Sequence, residues 1–399
     1  RPDSQQGKMG LVFSDVNQDS WIDVIAGSFV YFNPEGDLET QWKSVELPDN
    51  VDVYFALDVN GNEQADLIGA SGATMYWLEA DDGSAESWHS TVISTVPDAR
   101  TQGYEIAQII EGDLPELVFT RGTDLFYLEI PADNLDDEWD LTHITSDNEE
   151  EDIAIADLDE DGDLDIVAQD ESGHLSVWYA NPGDGSTHWE RHVIGDSVEW
   201  LDRIQLADLN QDARLDAIVT EETQDWDYNA NIYWFESPAD PTQPWERHTI
   251  DTLRSINSLS TADMDNDGDI DLIIAEHTDQ TNKGGANNNL TAWYENQDNG
   301  ATWVKHVIEI GNHSSHLGAL AIDLNQDSRL DVVSIAWDQY RFVHLWINYT
   351  VDPVPAFTEL IIDADVYGDL KGAADLDLDG DIDPVISING ANINQQLVW

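Results

Sequence analysis

Asp157-Leu158-Asp159-Glu160-Asp161-Gly162-Asp163-Leu164-Asp165 is the stretch from which the rest of the chain can be read. It places carboxylates at positions 1, 3, 5 and 9 of a short loop, with glycine at position 6. Alternate residues of a tight loop converge on one point, and glycine eases the turn. Only a hard cation rewards such crowding, and Ca2+ takes six to eight oxygens at about 2.3–2.6 Å. The same spacing returns cleanly at Asp263, Asp265, Asp267 and Asp271, and at Asp375, Asp377, Asp379 and Asp383. Looser copies run through Asp15, Asn17, Asp19 and Asp23; Asp58, Asn60, Asn62 and Asp66; Asp208, Asn210, Asp212 and Asp216; and Asp323, Asn325, Asp327 and Asp331. One such loop is easily a solvated acidic turn; seven at regular spacing argue for up to seven Ca2+ sites.

These loops are not EF-hands. An EF-hand needs a bidentate glutamate at position 12 and flanking helices. Position 12 is here Ala168, Ile274 or Ile386, and short β-rich runs such as Ile166-Val167-Ala168 and Leu272-Ile273-Ile274 follow. The expectation is a strand–loop–strand cation site.

Loop starts fall at residues 15, 58, 157, 208, 263, 323 and 375, in steps of 43 to 60 residues except for one of 99. The double step hides an eighth repeat, whose loop has shrunk to Glu111-Gly112-Asp113-Leu114-Pro115 while flanking strand patterns survive. Each repeat carries four strand signals, the third aromatic (Val177-Trp178-Tyr179) and the fourth reading Trp-x-x-His-x-Ile, as at Trp189–Ile194 and Trp245–Ile250. Alternation and β-branched content mark strands, and a period near 40–50 residues marks a β-propeller. The fold class is therefore all-β: a propeller of eight blades, with seven as the alternative. Each blade is a four-stranded antiparallel sheet with its cation loop between its first two strands. The blades run approximately over 1–47, 48–95, 96–146, 147–196, 197–251, 252–310, 311–363 and 364–399 of one domain. The recurring Trp and His of the fourth strand read as packing rather than catalysis.

The loop, the Leu/Ile-Val-Val run after it, Trp-Tyr-Glu-Asn and Trp-x-x-His-x-Ile together resemble the FG-GAP/VCBS repeat proteins. These are secreted prokaryotic relatives of the integrin α-subunit propeller. The resemblance spans essentially the whole chain and implies calcium in the blade loops. It implies no single activity, since adhesins, lectin-like binders and some polysaccharide lyases share it, so function has to come from a site.

Eighty-two acidic residues against 15 basic ones leave a formal charge of −67, and there are no cysteines. Seven Ca2+ would still leave −53. Such self-repulsion calls for screening by salt or cations, which points to a salt-rich habitat. Phosphates are repelled, which excludes nucleic acid as a partner, and no apolar run is long enough for membrane insertion. The Arg1-Pro2-Asp3 start reads as a mature end after processing, and localisation as extracellular or cell-surface. Sequons at Asn289, Asn312 and Asn348 permit glycosylation.

By strand parity the cation loops share one face and leave the other for a ligand. Scarce bases and aromatics map to that second face in blades five to seven: Trp200, Arg203, His277, His313, His316, Trp337, Tyr340 and Arg341. They suit a glycan or a surface protein, and the alternative is that the bases merely neutralise local acids. Two further functions stay open. A polysaccharide lyase would use Arg203 or Arg341 to neutralise a uronate, His277, His313 or His316 as base and Tyr340 as acid. A subunit of an extracellular assembly would use the rigid ring alone.

Overall fold

In the computed structural model, residues 11–34, 43–99, 101–112, 114–149, 151–183, 185–186, 188–223, 229–276, 289–311, 315–322, 329–336, 343–348, 357–363, 373–374 and 383–384 are described. Within them the chain forms seven four-stranded antiparallel sheets and one two-stranded sheet. Each four-stranded sheet is a meander whose strands pair in chain order. The fifth is typical: Trp200–Ala207, Asp216–Glu222, Ala230–Glu236 and Glu246–Leu253.

The first strand of every sheet is the inner one. Leu11–Ser14, Asp52–Leu57, Tyr104–Ala107, Ala154–Ala156, Trp200–Ala207, Ile256–Ala262 and Ser315–Ile322 abut one another in that order. The eighth sheet, Ala373–Ala374 with Asp383–Pro384, touches both Ser315–Ile322 and Leu11–Ser14, and so closes the circuit. This is a β-propeller.

Closure explains the composition of the strands. A second strand lies between two neighbouring sheets and is buried on both faces, so it reads as an unbroken apolar run. Leu117–Phe119, Ile166–Ala168, Ala217–Val219 and Leu272–Ala275 are all buried. The core is accordingly divided into layers between successive sheets. One layer joins Phe55, Ile68 and Trp77 to Phe119 and Phe126, the next joins Val118 and Tyr127 to Ile166 and Tyr179, and so on round the ring. The fourth strands form the rim and alternate with solvent, as in Glu246–Leu253. Their histidines stack on third-strand tryptophans: Trp178–His192 at 4.4 Å, Trp234–His248 at 4.5 Å and Trp293–His306 at 4.3 Å between ring centroids. That places these histidines in sheet packing.

Two sequons lie where no glycan reaches: Asn289 and Asn348 are 3% and 2% exposed.

Candidate functional site

The loops between first and second strands share one geometry. In the first, Asp15 Oδ1 and Oδ2 accept the N–H groups of Asp19 (3.0 Å) and Ser20 (2.8 Å), Asn17 Oδ1 accepts Asp19 N–H (3.1 Å), and Asp19 Oδ1 accepts Trp21 N–H (2.9 Å). The pattern repeats in the loops of Asp58, Asp157, Asp208 and Asp263. Side chains at positions 1, 3 and 5 thus turn inward because the loop's own N–H groups hold them. In two loops the result is a compact all-oxygen set: ligand atoms of Asp157, Asp159 and Asp165, and of Asp263, Asp265 and Asp271, lie within 4.8 Å of one another. Hard-cation chemistry fits such a set.

The carboxylate at position 9 does a second job that spacing alone hides. Asp271 is fully buried and brackets two chain segments: Oδ2 accepts Met264 N–H at 2.9 Å and Oδ1 accepts Asn296 N–H at 2.8 Å. Asp165 does the same with Leu158 (2.9 Å) and Asn181 (2.8 Å), and Asp216 with Leu209 (3.2 Å) and Ser237 (2.8 Å). Asp23 holds Val16 and Asn33 in the same way, at 3.1 and 2.9 Å. Each bracket ties the acidic loop to the end of the third strand or to the turn that follows it. A carboxylate oxygen has two lone pairs, so these groups still have capacity to face an ion.

Burial pushes these carboxyls up, against the pull of the two N–H groups: Asp23 and Asp271 to about 8, Asp165 to about 7 and Asp216 to about 6. Asp66, whose Oδ2 accepts Val59 N–H at 3.1 Å, is raised by burial to about 7. A carboxyl with a raised folded pKa favours folding most below its unfolded pKa of about 3.9, and that advantage is lost as pH rises through the folded value. Cation-free protein should therefore lose stability between about pH 4 and 8. A bound cation needs the carboxylates ionised, so the melting-temperature gain from added Ca2+ should be larger at pH 8.5 than at pH 5.5. Thermal melts at the two pH values, with Ca2+ and with chelator, check this; an equal gain at both would contradict it.

The loops form one continuous face. Gln18 Nε2 donates to Glu63 O and Gln64 Nε2 to Val16 O, both at 2.6 Å, and Gln211 reaches Asp269 of the next loop. Third-to-fourth-strand turns share this face, as Asn181 and Asn296 show by donating to Ile109 O (2.6 Å) and Leu209 O (2.8 Å) of the preceding repeat's loop.

At the other end of the inner strands, the residues expected to line one ligand pocket are not all alike. Arg203 is on an inner strand rather than in a loop. A register shift between Leu201 and Ile204 turns Asp202 and Arg203 out of the ladder and into the axis. There Arg203 is 3% exposed and its guanidinium meets Asp202 (2.8 Å), Glu151 (3.4 Å), Gln102 (3.4 Å) and Asn257 O (3.0 Å). It cross-links four sheets. Trp200, three residues earlier, is 44% exposed. His277, His313, Trp337, Tyr340 and Arg341 lie outside the described residues, as does the side chain of His316. So do the loop residues Asp323, Asn325, Asp327, Asp375, Asp377 and Asp379, and the side chain of Asp383. Asp331 is described, and its Oδ1 accepts Asn348 N–H at 2.6 Å.

Residues 157–219, which run from one cation loop through the next, match the FG-GAP-like repeat family. This propeller carries an FG-GAP-like repeat. No curated protein sequence matches the chain. Among solved structures, an Agrocybe aegerita lectin, described by its specific recognition of non-reducing terminal N-acetylglucosamine, is 14% identical with a TM-score of 0.47, over 75% of this chain and 80% of that one. A chain of a nidogen/laminin complex is 14% identical with a TM-score of 0.42, over 70% of this chain and 88% of that one. Neither likeness says what this propeller binds. No helix among the described residues is long and apolar enough to cross a membrane.

Sequence reasoning missed three features. The brackets were hidden because their partners lie 7 and 10–25 residues away. The axial partners Gln102, Glu151 and Asn257 carry no motif. The turn at Gly173-His174 beside Trp200 did leave a signal, in the hairpin sequence Asp170-Glu171-Ser172-Gly173.

Proposed function

We propose that this FG-GAP propeller is an extracellular, calcium-stabilised binding module for a glycan or a surface protein. The observation that carries the reading is a division of labour between faces. One face is occupied by acidic loops that fit Ca2+. The opposite end of the inner strands presents Trp200 and Val198, 44% and 66% exposed, on a rigid scaffold. Exposed aromatic surface held by a rigid fold is a binding feature. No described residue favours the lyase reading, because Arg203 is enclosed and its guanidinium already engaged.

The charge supports a salt-rich habitat. Exposed carboxylates repel over a Debye length of about 10 Å at 0.1 M salt and about 3 Å at 1 M. At fixed Ca2+, raising NaCl from 0.1 to 2 M should raise the melting temperature, and a flat or falling response would count against that habitat. The binding role is tested by calorimetry of the intact chain with Ca2+ and then with arrays of glycans and surface proteins. Ca2+ uptake together with a ligand lost on Trp200→Ala supports it; a ligand retained by that variant does not.

A further inference from the structure

We propose that Trp200 docks a basic segment of a partner protein, with an arginine or lysine side chain lying across the indole. This rests on the binding-module reading and narrows its ligand.

Trp200 is the one tryptophan that is exposed among the described residues, and Val198 beside it is more exposed still. The ring is not a loose surface group. It sits at the first position of its strand, backed by the hairpin of the fourth sheet. Gly173, at φ +66°, lets that hairpin lie flush: a Cβ there would fall 2.0 Å from the ring. The His174 ring tilts against it at 5.2 Å. His174 Nδ1 is 3.0 Å from Glu199 O, Leu201 N–H donates to Gly173 O at 2.8 Å, and Ser197 N–H donates to His174 O at 2.9 Å. One face of the indole is therefore fixed from behind while much of its surface meets solvent. A ligand stacking there meets a surface already in place, so little ordering cost falls on binding.

Charge selects the ligand. Glu171 lies exposed in the backing turn and Glu199 directly precedes Trp200, while the carboxylate of Glu222, whose backbone pairs with Trp200, lies with Asp202 and Glu151 in the axis. Glu221 is buried and holds the turn from behind, accepting the N–H groups of Val198 (2.6 Å) and Glu199 (3.0 Å). The arginines of the fourth and fifth sheets are engaged elsewhere. Arg191 pairs with Asp147 (2.7 Å) and Asp170 (3.3 Å), Arg247 with Asp196 (2.8 Å), and Arg214 with Asp212 on the loop face. Arg203 is buried in the axis. A uronate or sulfated sugar would be repelled by Glu171 and Glu199 at this rim. A neutral sugar would gain the ring and nothing from the charges. A guanidinium or ammonium gains both, because tryptophan is the best aromatic partner for a cation and the carboxylates add attraction. The apolar stem of a long basic side chain also suits Val198.

The test uses the intact chain with saturating Ca2+ at moderate salt and a short peptide, acetyl-Gly-Arg-Gly-Arg-Gly-amide. Cellohexaose and oligogalacturonate serve as neutral and acidic comparisons. The peptide should bind most tightly. Trp200→Ala should weaken it by about 2- to 30-fold, the range of a partly desolvated cation–aromatic pair, and Trp200→Phe should recover part of that loss. Gly173→Ser, which displaces the ring without removing it, should weaken the peptide as well. Unchanged melting temperatures would show that the variants fold. Peptide binding that ignores Trp200 would be diffuse charge attraction and overturns the proposal. Preferential, Trp200-dependent binding of cellohexaose or oligogalacturonate would also overturn it while leaving the binding-module reading intact. Failure of all three probes overturns the proposal; the binding-module reading falls only if the glycan and surface-protein arrays are silent as well.

Discussion

Stripping divalent cations with EDTA, at constant ionic strength, should lower the melting temperature of this propeller by about 10 °C or more. The reasoning starts from mass action: a ligand that binds only the folded state at a hundred times its Kd stabilises by about 2.7 kcal/mol. The two all-oxygen sets at Asp157 and Asp263 would then contribute about 5 kcal/mol between them. With a shift of roughly 1.2 °C per kcal/mol for a chain of 399 residues, those two alone reach about 6 °C, and two further loops of the same kind bring the total past about 10 °C. The other loops share the backbone pattern and add to it. Without a cation the same loops hold buried carboxylates at close range, and Asp265 is pushed up to about 6, first by burial and then by Asp267. Magnesium should substitute poorly, because it keeps its waters and demands octahedral geometry. Differential scanning calorimetry with Ca2+, Mg2+ and chelator measures the effect. Coincident melts in all three would mean that the loops are acidic turns and nothing more.

Asp271→Ala should destabilise the protein by about 2–6 kcal/mol, and should do so even in EDTA. The substitution leaves two buried N–H groups, of Met264 and Asn296, with no acceptor, and each such orphan costs about 1–3 kcal/mol. Asp267→Ala is the matched comparison. Asp267 belongs to the same loop but is exposed, and its Oδ1 accepts only the N–H of Asp269 within the loop. That variant should lose stability in Ca2+ and change little in chelator. Urea titrations of both variants in both conditions separate the bracket from the ion. If Asp271→Ala matched wild type in chelator, position 9 would be a ligand and not a structural tie.

How much of this was readable from sequence follows from which interactions are local. The cation loops were legible because donors at positions 1, 3, 5 and 9 must be close in the chain to be close in space. The strand pattern was legible because burial on both faces leaves an apolar run, as in Leu272-Ile273-Ile274-Ala275. The shrunken loop of the third repeat was visible because its flanks kept that pattern. The expected ligand face was only partly legible. Arg203 reads as one more scarce base near a turn, and nothing in the residues around it announces the register shift that turns it into the axis. Its partners come from segments up to 101 positions away, and such closure is set by the ring and not by neighbours in the chain. Trp200 falls on the expected ligand face by strand parity, and only the packing of Gly173 behind it shows how it is held facing water.

The third sheet carries a consequence of its own. Its loop has lost the acidic spacing, yet Glu116 stands where the other repeats have the ninth-position aspartate. Its Oε2 accepts the N–H groups of Ile109 (2.8 Å) and Ile110 (3.1 Å). Holding the loop's own backbone and capturing an ion are thus separable parts, and a blade can shed the second while keeping the first. The number of charged loops then behaves like a dial that evolution can turn one blade at a time. It would tune how much dissolved calcium a ring of this kind demands, with the architecture left alone.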